Sequence, residues 1–236
     1  MQKIFQIIIF LSSFYNYCYS QTDADYIKKA IEFEKANKLN DAIKEYDKAI
    51  LINSNSIQAY ANRGNVKMRL GKKEEALKDF NKAISINPKI ATLYNTKGII
   101  LDELRRSTEA LAAFNKSIAL NPNNAETYYN KGLTYANLGD KLNAVKSYTK
   151  CIQIDAKYFQ AYVNRGNIKN SEGKFSEALK DFNVAAKLNP TFALIYYNIA
   201  VSKAGIGDTI NACVDLKKCK SLGFKATDEL MKQYCK

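Results

Sequence analysis

Histidine and tryptophan are absent from the 236 residues, proline occurs three times and glycine ten times. Without histidine, the commonest general base and the commonest metal-ligating side chain are both missing. Any catalytic reading would have to rest on carboxylates, lysine, tyrosine or cysteine. Cysteine is scarce too: there are five, and no Cys-x-x-Cys spacing, so no metal site is expected. The chain also lacks a glycine-rich phosphate loop and a nucleophile elbow. These absences point to a non-enzymatic protein without a cofactor. What is present is 47% hydrophobic residues, enough for a core, and 36 basic against 23 acidic side chains, a net charge of +13.

A strongly apolar run occurs once, from Ile4 to Leu11, after Lys3 and before the small and aromatic residues that end at Ser20. One positive charge, a short apolar stretch and small residues at Cys18 and Ser20 fit a secretory signal peptide over residues 1–20, cleaved after Ser20. The alternative is a retained anchor, but a helical span needs about 20 apolar residues. The segment carries Lys3 and no acid, so its removal takes +13 to +12. The expected location is the periplasm or the exterior.

The rare residues are not scattered. Gly64, Gly98, Gly132 and Gly166 lie 34 apart, as do Ala42, Ala76, Ala110, Ala144, Ala178 and Ala212. Tyr46, Phe80, Phe114, Tyr148 and Phe182 form a third series, closed by Leu216. Pro88, Pro122 and Pro190 share one phase, and eight of the ten glycines fall in two phases. This pattern resembles the tetratricopeptide repeat family over residues 23–226. It divides the chain into six units, 23–56, 57–90, 91–124, 125–158, 159–192 and 193–226, followed by a capping helix over 227–236. The resemblance implies an all-α fold, a right-handed superhelix (an α-solenoid) of helix-turn-helix repeats with one concave face.

Each phase has a physical reason. Positions 4, 7, 8 and 11 of the first helix share a face; in the second unit these are Tyr60, Arg63, Gly64 and Lys67. Glycine at position 8 allows close approach of the partner helix. Gly71, Gly139, Gly173 and Gly207, with Asn37, stand where the first helix stops and a left-handed residue is needed. Arg105 takes that place in unit three, so its turn is expected to be strained or differently shaped. Asn-Pro pairs end the second helices, since proline forces its predecessor out of the helical region. In the tail, Leu230, Met231 and Tyr234 are expected to cover the last repeat.

Four cysteines follow the leader. Cys151 and Cys219 fall in the phase of Ala49, Ala83 and Ala185, which predicts small-residue core packing. Cys213 faces the next layer, which for the last unit is the helix holding Cys235. In an exported chain a Cys213–Cys235 disulfide would staple the cap, worth about 3 kcal/mol in the chain-entropy model. Two free thiols are the alternative.

Opposite the core face lie positions 2, 6, 9 and 13 of each first helix. Position 6 reads Lys28, Asn62, Thr96, Asn130, Asn164 and Asn198. An amide both donates and accepts, so such a row can pair with successive peptide groups of an extended ligand, similar to the ladder of long superhelical family members. Asn65 and Asn167 at position 9 widen the strip, and Tyr129 and Tyr197 at position 5 add apolar contact at its edge. The competing reading is that the amides bond one helix to another. The carboxylate-clamp type of groove fails, because Val163 stands where its lysine is required. Charges at the four groove positions sum to +1, from Lys28, Lys35 and Arg69 against Glu103 and Glu126. The basic excess therefore sits on outer helices and turns, which argues against nucleic acid in the groove and for diffuse attraction to acidic surfaces. The expected function is a protein-interaction scaffold whose partner is a protein or an extended peptide, with modest affinity, about −8 kcal/mol at best. The alternative is a structural subunit of an envelope assembly, touching neighbours through its convex basic face. The sequence of the last unit and tail is similar to endings of exported family members from Bacteroidetes.

Overall fold

Two helices per unit, joined by the same short turn, make up the structure, a computed structural model that describes residues 21–225 and 228–235. Among the described residues there are thirteen helices and no strand. Repeat 1 holds α1 (Asp23–Lys35) and α2 (Leu39–Ile52), and repeat 2 holds α3 (Ile57–Arg69) and α4 (Lys73–Ile86). Repeat 3 holds α5 (Ala91–Glu103) and α6 (Ser107–Leu120), and repeat 4 holds α7 (Ala125–Asn137) and α8 (Lys141–Ile154). Repeat 5 holds α9 (Phe159–Ser171) and α10 (Phe175–Leu188); repeat 6 holds α11 (Ala193–Gly205) and α12 (Thr209–Ser221); α13 (Asp228–Tyr234) follows. The expected leader over residues 1–20 lies outside the described residues. Among those that are described, no helix is long and apolar enough to cross a membrane.

The turn inside each repeat closes identically. The residue at position 15 is left-handed, and the N–H after it returns to the carbonyl five residues back: Lys72 to Lys67 at 2.9 Å, Asp140 to Tyr135 at 2.9 Å. Arg105 adopts φ +63° and its turn makes the same bond, Arg106 N–H to the Leu101 carbonyl at 2.8 Å. The turn of repeat 3 thus keeps the shape of the glycine turns and differs by the steric penalty of a left-handed side chain, about 1 kcal/mol. Between repeats, Asn53, Asn87, Asn121 and Asp155 each accept a hydrogen bond from the N–H two residues on, which turns the chain into the next helix.

The chain divides into two units, one ending at Leu93 and one beginning at Tyr94. In the N-terminal unit the core gathers Ile27, Ala30, Ala42, Tyr46, Ala49, Ala59 and Val66, and α1 opens with a Thr22–Asp25 capping box. In the C-terminal unit the position-8 glycines meet the position-24 aromatics. A Cβ on Gly98 would stand 2.5 Å from the Phe114 ring, and one on Gly132 would stand 2.6 Å from Tyr148. Those aromatics are almost wholly buried, each contributing about 2–3 kcal/mol of transfer free energy.

At the C-terminal end, Leu230, Met231 and Tyr234 of α13 pack partly buried against Ala200, Ala212 and Leu216. No residue of α13 is fully buried. Cys213 and Cys235 are joined by a disulfide, with Cα atoms 5.1 Å apart. Cys151 and Cys219 are buried thiols, and burial pushes the Cys151 thiol up to about 12.

Candidate interaction face

The position-6 asparagines are half-buried on the first helices, and each reaches back to the repeat before it. In the C-terminal unit the Asn130 amide donates to Asn95 Oδ1 at 3.3 Å, and Asn164 donates to the Tyr129 hydroxyl at 3.2 Å. Asn198 donates to Asn167 Oδ1 at 2.8 Å, and one turn further Ser202 donates to Asn170 Oδ1 at 3.0 Å. Asn95 and Tyr129 both occupy position 5, so the same stitch recurs from repeat to repeat. In the N-terminal unit Asn62 bonds the Tyr46 hydroxyl, which itself donates to Glu34. Burial raises the Tyr46 phenol well above its ordinary value, with Glu34 adding to the rise and Asn62 opposing it. Asn65 and Asn167 are exposed.

These bonds occupy one N–H of each amide. An asparagine offers four hydrogen-bonding positions; the Oδ1 atoms of Asn130 and Asn198 have no partner among the described residues, whereas Asn164 also bonds the Tyr148 hydroxyl. The amides are therefore oriented by the preceding repeat and still carry acceptors.

The two tyrosines take up more structural work than position 5 suggests. Tyr129 is half-buried, with ring centroids 4.9 Å from Tyr158 and 5.9 Å from Tyr148. Burial raises its phenol, and the Asn164 bond opposes that rise. Tyr197 lies against Phe224 at 5.5 Å. In the N-terminal unit a hollow of about 410 Å³ is lined by Ile31, Glu34, Lys35, Asn62 and Arg69, with Arg69 paired to Glu34 at 3.4 Å.

The sequence places Arg63 and Lys67 on one face of their helix, but the acids that hold them there escaped it. Arg63 and Lys67 lie on the core-facing side and their side chains are only 16% and 12% exposed. Both pair with Asp79 of the same repeat, at 2.6 and 2.8 Å, and Arg63 also reaches Asp47 of repeat 1. Repeat 5 repeats this: Arg165 and Lys169 hold Asp181 at 2.6 and 3.0 Å, and Arg165 also donates to Thr149 of repeat 4. In repeat 1 Glu45 holds Lys29 at 3.4 Å and Lys48 at 2.8 Å, and in repeat 6 Lys203–Asp215 at 2.6 Å is a single pair. The signal was available in the acids at position 23, which recur in step with the basic residues at positions 7 and 11.

Models of the tetratricopeptide repeat match residues 57–90 and 125–158, and a TPR repeat model matches residues 30–71, 106–139 and 166–207, half of the chain. The chain belongs to the tetratricopeptide repeat family. No curated protein matches the sequence. Among solved structures, PilF of Pseudomonas aeruginosa superposes with a TM-score of 0.77 at 18% identity, covering 89% of this chain and 97% of its own. A tetratricopeptide repeat protein of Parabacteroides merdae gives 0.68 at 21% identity, covering 91% and 99%. YrrB, described as having an unusual peptide-binding site, gives 0.64 at 23% identity, covering 80% and 97%. At these identities the likeness establishes the fold.

Proposed function

We propose that this protein is an interaction scaffold whose C-terminal unit holds an extended peptide along the first-helix face carrying Asn130, Asn164, Asn167 and Asn198. The observation that supports this most is the stitching of the amides. Asn130, Asn164 and Asn198 are each held by an amide N–H to the preceding repeat, and the carbonyls of Asn130 and Asn198 are left to accept from a ligand N–H. Side chains already ordered in this way lose little rotamer freedom on binding, and that loss is one of the main terms opposing association.

The scaffold works outside the cytoplasm after cleavage near Ser20. The Cys213–Cys235 disulfide supports an oxidising compartment. Intact mass of protein purified from its native envelope tests both points: the chain should begin at residue 21 and resist alkylation at these two cysteines until reduced.

Selection of unstructured peptides from a random display library on the intact protein tests the face itself. The Asn130→Ala/Asn164→Ala double variant should weaken binding of the selected peptides at least about tenfold, while each lost bond lowers stability by only about 1 kcal/mol. Asn95→Ala serves as control, since it removes the partner of Asn130 and keeps the row. If the double variant binds as the wild type does and shares only a stability loss with Asn95→Ala, the amides are purely structural and the proposal fails.

A further inference from the structure

Between the two helices of most repeats runs a seam lined by positions 7 and 11 of the first helix and positions 19 and 23 of the second. In repeats 2 and 5 it is filled by ions: Lys67 also lies 3.9 Å from Glu75, and Lys169 lies 3.8 Å from Glu177. Repeat 3 keeps the position-7 cation and the position-19 acid, Glu109, and drops the position-23 acid. Lys97 stands at position 7, but position 23 is Ala113, position 22 is Ala112 and position 11 is Leu101. With those side chains cut back, a hollow of about 290 Å³ opens, walled by Tyr94, Lys97, Glu109 and Lys116 above the two alanines. That is room for roughly ten waters at liquid density, more than one carboxylic side chain needs.

The charges in the hollow are unbalanced. Glu109 is engaged by Arg106, whose guanidinium donates to both its oxygens at 2.7 and 2.8 Å and holds its carboxyl below the usual range. Lys97 and Lys116 form no ion pair among the described residues. Lys97 is half-buried and has only the field of Glu109, already held by Arg106, where its counterparts in repeats 2 and 5 have a position-23 carboxylate at 2.6 Å. The deficit continues into repeat 4, where position 23 is Ser147 and Lys131 at position 7 donates to the side-chain Oδ1 of Asn115 at 2.7 Å.

We infer that the hollow of repeat 3 is a receptor for an acidic side chain of a protein partner, a Glu or Asp carboxylate that takes the place of the missing position-23 acid between Lys97 and Lys116. This surface uses positions 4, 7, 22, 23 and 26, not the amide row, so it stands apart from the groove reading. Charge-assisted bonds from two lysines are the strong kind, and a strongly basic chain, +13 in full and +12 without residues 1–20, draws acidic segments toward it.

NMR of the full chain with isotope-labelled lysines tests the inference, using a seven-residue Glu/Ser peptide, the same peptide with Gln for Glu, and glutarate. The acidic peptide should shift Lys97 and Lys116, and the Gln peptide should not. Lys97→Met should weaken the acidic peptide at least about tenfold. Ala113→Asp should do the same while raising the melting temperature, because it supplies the acid internally. The Asn130→Ala/Asn164→Ala variant should leave these shifts intact; their loss in that variant would place the peptide on the amide face instead. The inference is overturned if Ala113→Asp binds as the wild type does, or if the exposed Lys72→Met weakens binding as much as Lys97→Met, which would mean diffuse attraction. Glutarate binding as tightly as the peptide would make this a free-acid site and overturn the claim of a protein partner.

Discussion

Repeats 5 and 3 follow the same backbone plan and differ in what fills the seam between their helices. Repeat 5 closes it with Arg165, Lys169 and Asp181; repeat 3 leaves it open over Ala112 and Ala113. Both keep the glycine-on-aromatic contact, Gly166 on Phe182 and Gly98 on Phe114. The hairpin therefore depends on positions 8, 20 and 24, and positions 7, 11 and 23 are available for surface chemistry. Repeats 2 and 5 show the opposite tendency: Glu75-Ala76-Leu77-Lys78-Asp79-Phe80-Asn81 recurs unchanged as residues 177–183. An ion network that works as a unit is copied as a unit.

The comparison breaks most sharply at Asp181. Its side chain is 5% exposed, and Asp181→Ala leaves two cations in the seam of repeat 5 without their carboxylate. A loss of about 4 kcal/mol in denaturant unfolding is expected. A loss under 1 kcal/mol would mean that water already screens the network and that the contrast with repeat 3 is cosmetic. Next comes the terminal repeat, whose stability is partly covalent. Replacing Cys213 and Cys235 by serine should lower stability by about 3 kcal/mol in the chain-entropy model, with proteolysis beginning in α13. Unchanged protease sensitivity would show that packing on Leu216 suffices.

The shared feature is tested by Gly98→Val and Gly166→Val, each expected to lose about 2 kcal/mol as the aromatic ring is displaced. Calorimetry should return similar losses for both, since the contact is the same with or without ions beside it. The smallest effect concerns acid. Glu45 is the position-23 acid of repeat 1, and the hydrogen bond from Lys48 holds it below its ordinary value of 4.5, with burial opposing and Lys29 assisting. A carboxylate whose folded pKa is depressed adds stability that is complete above its unfolded pKa and disappears as pH falls through the folded one. The melting temperature of Glu45→Gln should therefore fall less steeply than that of the wild type below pH 4.5.

Most of the fold was legible because its determinants are single residues with steric consequences. Gly98 and Phe114 announce one another at a spacing of 16, and a left-handed turn residue admits few side chains, so period and phase were enough. Arg105 shows the boundary of that logic: the closing hydrogen bond and its neighbours hold the turn, and the side chain accepts the strain. The ion network was harder to read. Arg63 and Lys67 were placed on the inner face, but an acid at position 23 looks like any other exposed helix residue until the seam closes around it. The amide row was half legible for a different reason. Periodicity locates Asn130, Asn164 and Asn198 on one face, but their partners at Asn95, Tyr129 and Asn167 lie 31 to 35 residues earlier and follow from side-chain reach across two repeats.

The disulfide at the C-terminal end has a mechanical consequence. Tension applied at residue 235 enters α12 directly at residue 213, and the chain between them carries none of it. Force at residue 235 therefore cannot peel α13 away, and it would strain the interior of the last hairpin before it dislodged that lid.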